Sequence, residues 1–127
     1  MMGFGKNKKA EKLTIDKVKE MVLRSMTEQD RAHKPFYIDQ AIHPKGEELV
    51  IGKNRYRMTS DTIVVFVDDE PGKNWAHDCH YLFFDVQTGE VKEIPERFPP
   101  SLTDIPGTFR LIRKPEGIAS WALWFDE

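Results

Sequence analysis

The sequence predicts an α+β domain: an N-terminal helix packed on one face of a mostly antiparallel sheet of about five to seven strands. Three observations carry this. One segment near the start places apolar residues at helical spacing. After Pro35 the apolar period changes to that of strands. The extended runs that follow are short and are separated by turn residues, as in hairpins and meanders.

The helix begins after Thr14, an N-cap residue type, with Ile15, Val18, Val22 and Met26 on one stripe and Leu23 widening it. Asp16, Lys17, Lys19, Glu20 and Arg24 form its polar face, with acids early and a base late, in keeping with the helix dipole. An isolated helix of this length is marginal in water, so the stripe needs a sheet to lie on. Pro35 disfavours helical geometry in the residue before it, so the helix should reach no further than His33.

Strand patterns follow in order. Phe36, Ile38 and Ile42 alternate with Tyr37, Asp39 and Ala41, and His43-Pro44-Lys45-Gly46 reads as a turn. Leu49–Ile51 and Arg55–Met58 flank Gly52-Lys53-Asn54, predicting a hairpin with a three-residue loop. Thr62–Val67 is apolar on both faces and should be central in the sheet, covered on both sides. A strand from Ala76 to Val86 should pair with it antiparallel, because a seven-residue loop is too short for a parallel crossover. Asp85–Glu90 is a tight turn, Val91–Ile94 returns, and Pro95, Pro99, Pro100 and Pro106 mark an irregular connection. Phe109–Arg113 and Ile118–Phe125 are expected to close the fold as a last hairpin around Lys114–Gly117.

The stretch Tyr81-Leu82-Phe83-Phe84-Asp85-Val86-Gln87-Thr88-Gly89-Glu90-Val91 resembles the hairpin of PepSY-type propeptide domains. The helix-then-sheet order is similar to theirs and to that of cystatin-like folds. The resemblance covers about a tenth of the chain; it implies a hairpin and assigns no family.

The chain has 127 residues, enough for one domain, which we place at 12–127 behind a flexible basic tail at 1–11. Nineteen basic against 21 acidic side chains leave a net charge of −2, without the basic excess of a nucleic-acid binder. The first 24 residues hold seven basic and three acidic side chains, but no aromatics interleave with them as single-strand binding would require. A single cysteine excludes an intramolecular disulfide framework and points to a reducing compartment. No apolar stretch has the length of a signal-peptide core or a membrane span, so a cytoplasmic location with no membrane association is expected.

Chemistry-bearing residues concentrate in Trp75-Ala76-His77-Asp78-Cys79-His80-Tyr81. If this stretch is extended, His77 and Cys79 share a face with Tyr81, about 6.5–7 Å apart at Cα. That spacing suits a thiolate–imidazolium pair, with Asp69 or Asp78 orienting the imidazole. A metal there would need further ligands, with His33 and His43 as the available imidazoles. The plainer account makes Cys79 a small buried hydrophobe and its histidine neighbours structural. Asp68, Asp69 and Glu70 follow the central strand and can either bind a hard cation or cap the strand and start a turn at Pro71-Gly72. Trp75 joins this acidic loop to the His/Cys segment and is, with Trp121 and Trp124, a candidate binding residue. Near the C-terminus Trp121 and Trp124 fall on opposite faces of an extended segment, and tryptophan is enriched at binding hot spots.

No motif demands a cofactor, and none marks a known reaction. The expected function is therefore a small non-enzymatic binding module with a protein partner. The alternatives are a thiol- or metal-dependent enzyme centred on Cys79 and His77, with Asp69 as a further catalytic candidate, and a small-ligand carrier with an aromatic-lined cavity.

Overall fold

The computed structural model describes residues 12–73, 76–100, 108–119 and 122–123. The elements run α1 (Ile15–Ser25), α2 (Glu28–His33), β1 (Phe36–Asp39), β2 (Glu48–Ile51), β3 (Asn54–Arg57), β4 (Thr62–Asp68), β5 (Cys79–Asp85), β6 (Val91–Glu96) and β7 (Phe109–Arg113). Five strands form one sheet in the order β6-β5-β4-β1-β7, and β2 and β3 form a separate pair. Every pairing is antiparallel. The fold class is the one the sequence predicts.

Period-two alternation divides the sheet's side chains between two cores. Phe36, Ile38, Ile63, Val65, Val67 and Phe84 cluster with Val18, Val22 and Met26 of α1. The backbone N–H of Leu13 donates to Val86 O at 2.9 Å, tying the approach to the helix to the end of β5. On the opposite face Tyr37, Val64, Phe66, Tyr81, Phe83 and Phe109 cluster with Ile51 and Met58 of the hairpin segment. All seven residues of β4 are buried, as a central strand covered on both sides must be. Its second cover is the β2–β3 hairpin.

Three local expectations change. The N-terminal helical segment is two helices, because Thr27 starts a second: its Oγ1 accepts from Asp30 N–H and its own N–H donates to Asp30 Oδ2, both at 3.0 Å. The hairpin turn has two residues, since Ile51 pairs directly with Asn54. Its first residue, Gly52, has φ +60, the left-handed region that glycine enters without a Cβ penalty. The segment after β7 does not return as a strand among its described residues, 118–119 and 122–123. Instead Glu116 N–H donates to Arg31 O at 3.1 Å and Gly117 N–H to Ala32 O at 2.9 Å, which occupies the open carbonyls at the end of α2.

Two strand ends also differ. β6 continues through Pro95 to Glu96, which an edge strand tolerates because the missing N–H faces no partner. There Glu96 accepts Asn54 Nδ2 at 2.8 Å and the Tyr56 hydroxyl, fastening the hairpin to the edge of the sheet. Burial first, then the Glu96 carboxylate, pushes the Tyr56 phenol up to about 12. β5 begins only at Cys79, because Ala76 to Asp78 are bound to other parts of the chain, as described next. No helix among the described residues is long and apolar enough to cross a membrane.

Candidate functional site

The residues singled out around the His/Cys segment meet at one end of the sheet, where β4 stops at Asp68 opposite Cys79. Asp68 is fully buried, and its Oδ1 accepts Glu70 N–H at 3.1 Å, which turns the chain out of the strand. The same oxygen lies 2.7 Å from His77 Nε2. His77 is held from the other side by its backbone N–H, which donates to Arg97 O at 2.9 Å. The carboxylate that meets His77 is therefore Asp68, not Asp69 or Asp78.

Asp69 and Asp78 have other partners. Asp69 lies 2.8 Å from His80 Nδ1 and 3.1 Å from Lys34 Nζ, on the helix side of the sheet. Burial opposes its charge, but the contacts with His80 and Lys34 outweigh that, and its carboxyl is held below the ordinary carboxylate value. Asp78 is exposed: its N–H donates to Glu70 Oε1 at 3.2 Å, and its Oδ1 receives Arg97 at 3.3 Å. Arg97 also donates to Ala76 O at 3.2 Å. Glu70, Gly72, Lys73, Ala76, His77 and Arg97 line a cleft of about 350 Å³, polar rather than aromatic.

Cys79, two residues after His77 at the start of β5, is 4 % exposed, with its thiol donating to Phe98 O at 3.4 Å. Tyr81 OH donates to the same carbonyl at 2.8 Å. Burial first, and then the carboxylates of Asp68, Asp69, Glu96 and Asp78, push the thiol up to about 12. A thiolate needs positive charge beside it. Here its surroundings are apolar and anionic, and the imidazole expected to assist it is bonded to Asp68.

Among the described residues no group of three or more His, Cys, Asp or Glu is placed to hold a metal ion. Of the two further imidazoles, His33 is exposed on α2, and His43 lies at the start of β4, the end opposite to His77. Trp75, Trp121 and Trp124 lie outside the described residues.

A second cluster lies at the opposite end of β4, around a histidine that the sequence offers only as a spare imidazole. His43 Nε2 is 2.7 Å from Asp39 Oδ2, and its Nδ1 meets Glu47 Oε2. The backbone of His43 exchanges two 2.8 Å hydrogen bonds with Thr62, which sets the ring at the start of β4. The available signal was carboxylates four residues before and four after one histidine. Read in an apparent turn, that spacing has no helix to make it meaningful.

Comparison with known protein families, with curated proteins and with solved structures finds no match to this chain.

Proposed function

We propose that this chain is a non-enzymatic binding module, acting in the cytoplasm on a protein partner. The observation that carries the reading is the condition of Cys79: buried, donating its proton to Phe98 O, and surrounded by carboxylates that disfavour the thiolate. A thiol in that state is a core residue, not a nucleophile. The imidazoles beside it serve as hydrogen-bond partners for the carboxylates that end β4. The pocket between the end of β3 and the β5–β6 hairpin, where Met58 and Phe83 stand among mostly polar residues, has a volume of about 60 Å³. That is well below the few hundred Å³ that a small-molecule carrier uses, and the cleft of about 350 Å³ at His77 is lined by polar groups rather than by the aromatics of an apolar carrier.

Timed alkylation with iodoacetamide near neutral pH tests the reading on native protein, on His77→Ala and on an unfolded control. The expected result is labelling at least a hundredfold slower in the native protein than in the unfolded one, and unchanged in rate by His77→Ala. Fast labelling that slows on removing His77 would overturn the reading in favour of a thiol enzyme.

A further inference from the structure

The His43 ring stands between two carboxylates, one at each nitrogen. A neutral imidazole has one N–H and one lone pair, so it can donate to only one of them and turns its lone pair on the other. Two carboxylate acceptors call for two donors, and only the imidazolium has them. We infer that His43 is a proton-operated clasp: protonated, it ties the end of β1 to the 44–47 turn, and losing its proton releases Glu47 and loosens the anchorage of the β2–β3 hairpin.

The connections around Glu47 give the clasp its reach. Glu47 O accepts the Met58 N–H, and Met58 O accepts the Gly46 N–H, both at 2.8 Å, so the turn is the seam that closes the base of the hairpin. Glu47 N–H donates to Pro44 O at 3.0 Å within the turn itself. Asp39 is fixed from the sheet side: it is 3 % exposed, and its Oδ1 accepts Ala41 N–H at 2.9 Å. Of the two carboxylates, Glu47 is the one free to move.

The other charged groups near the clasp are occupied. Asp61 Oδ1 accepts the backbone N–H of Lys45 at 3.0 Å, and Arg57 donates to Gly46 O at 3.1 Å. The Lys45 side chain is exposed. Just before β7, Thr108 contributes a hydroxyl to Asp39, while Arg110 of β7 pairs with Ile38 and so falls on the opposite face of the sheet. Burial disfavours the imidazolium, but the hydrogen bonds and charges of Asp39 and Glu47 outweigh it, and the His43 value is raised. Burial likewise opposes the Asp39 charge, and His43, Ala41 and Thr108 outweigh it, so Asp39 stays ionised.

The sign follows from linkage. A group that binds its proton more tightly in the closed state stabilises that state fully below its open-state value, here that of a ring still facing Asp39 but parted from Glu47. The stabilisation is lost as pH rises from there to the closed-state value. Above that, the turn opens at a constant, higher level.

The test is NMR on the full chain between pH 5 and 9, following the His43 ring and the exchange protection of the Gly46, Glu47 and Met58 amides. Protection is taken relative to intrinsic exchange, with Val64 and Phe66 in β4 as references. The expected result is a His43 midpoint above 6.5 and a loss of protection at the three turn amides between the ring's open-state value and that midpoint. The loss should be about tenfold for each pH unit separating the two values, with β4 unchanged. Glu47→Gln supplies the control. Its amide can donate to a neutral Nδ1 while Nε2–H serves Asp39, so the His43 midpoint should fall and the turn should stay protected throughout. A His43 midpoint at or below 6.5 would overturn the inference, and so would turn protection that ignores the ring's titration.

Discussion

His77 Nε2 lies 2.7 Å from Asp68 Oδ1, with the carboxylate wholly shut off from solvent and the imidazole side chain 6 % exposed. The pair joins the last residue of β4 to the residue two before β5, so it closes the long β4–β5 loop by side chains where the ladder has already ended. A buried acid with its partner removed is left with an uncompensated charge or a raised proton affinity, and either outcome costs stability.

Asp68→Ala and His77→Ala should therefore each lower stability by about 3 kcal/mol or more in urea unfolding. The double variant should lose clearly less than the sum of the two, because the bond between them is already lost with the first deletion. Strict additivity would mean that the two side chains act separately and that the loop is held by its backbone bonds.

The hairpin turn makes a prediction about shape. A Cβ added at Gly52 would stand 2.3 Å from Phe98 Cδ2, on a backbone already at φ +60, whereas one at Gly46, at φ +93, would meet nothing within 4 Å. Gly46→Ala should thus cost only conformational strain, about 1–2 kcal/mol. Gly52→Ala should cost that and a further 1–3 kcal/mol for displacing the Phe98 ring. Measured in a Phe98→Ala background, the two glycine substitutions should become equal. If Gly52→Ala stays the costlier there, the Phe98 contact is not the reason.

Acid titration should reveal the carboxylates that end the strands. For Asp85, burial works against the charge, but the Ser60 hydroxyl at 2.7 Å and the backbone N–H groups of Thr88 and Gln87 outweigh it and lower its value. Asp39 and Asp69 are lowered on the same balance of burial against hydrogen bonds. A carboxyl more acidic in the folded state contributes stability that is complete above its unfolded value, about 3.9, and is lost as pH falls through the folded value. Urea midpoints should thus be level from pH 6 to about 5 and should decline below pH 4. Asp85→Asn should make that decline shallower. A wild-type midpoint independent of pH down to 3 would mean that these bonds contribute nothing net.

Much of the candidate site was legible in the chain, and its pairings were not. His77, Cys79 and Asp69 stand out by residue type, and strand alternation correctly set Cys79 beside Tyr81 on one face. Which carboxylate meets which imidazole depends on where the ladder stops. Because β4 runs through Asp68 and pairs it with Cys79, Asp68 faces the His77 side, while Asp69, one residue later, falls toward His80 and Lys34. A shift of one residue in either strand would exchange those partners. Nothing local to the loop records that register.

The sequence by itself determined the elements that a short window can express. Apolar spacing of three and four made α1, the six consecutive sheet-forming residues Thr62–Val67 made β4 central, and the Thr-Gly turn after Asp85 made the β5–β6 hairpin. The tertiary structure alone decided that β1 lies between β4 and β7, and that the β2–β3 hairpin folds over the second face of the sheet. It also decided that the carboxylates and histidines at both ends of β4 close into pairs. The physical reason is range. Helix and strand patterns follow from the backbone geometry of neighbouring residues, whereas layer order and charge pairing are set by which apolar faces must be covered, between segments far apart in the chain.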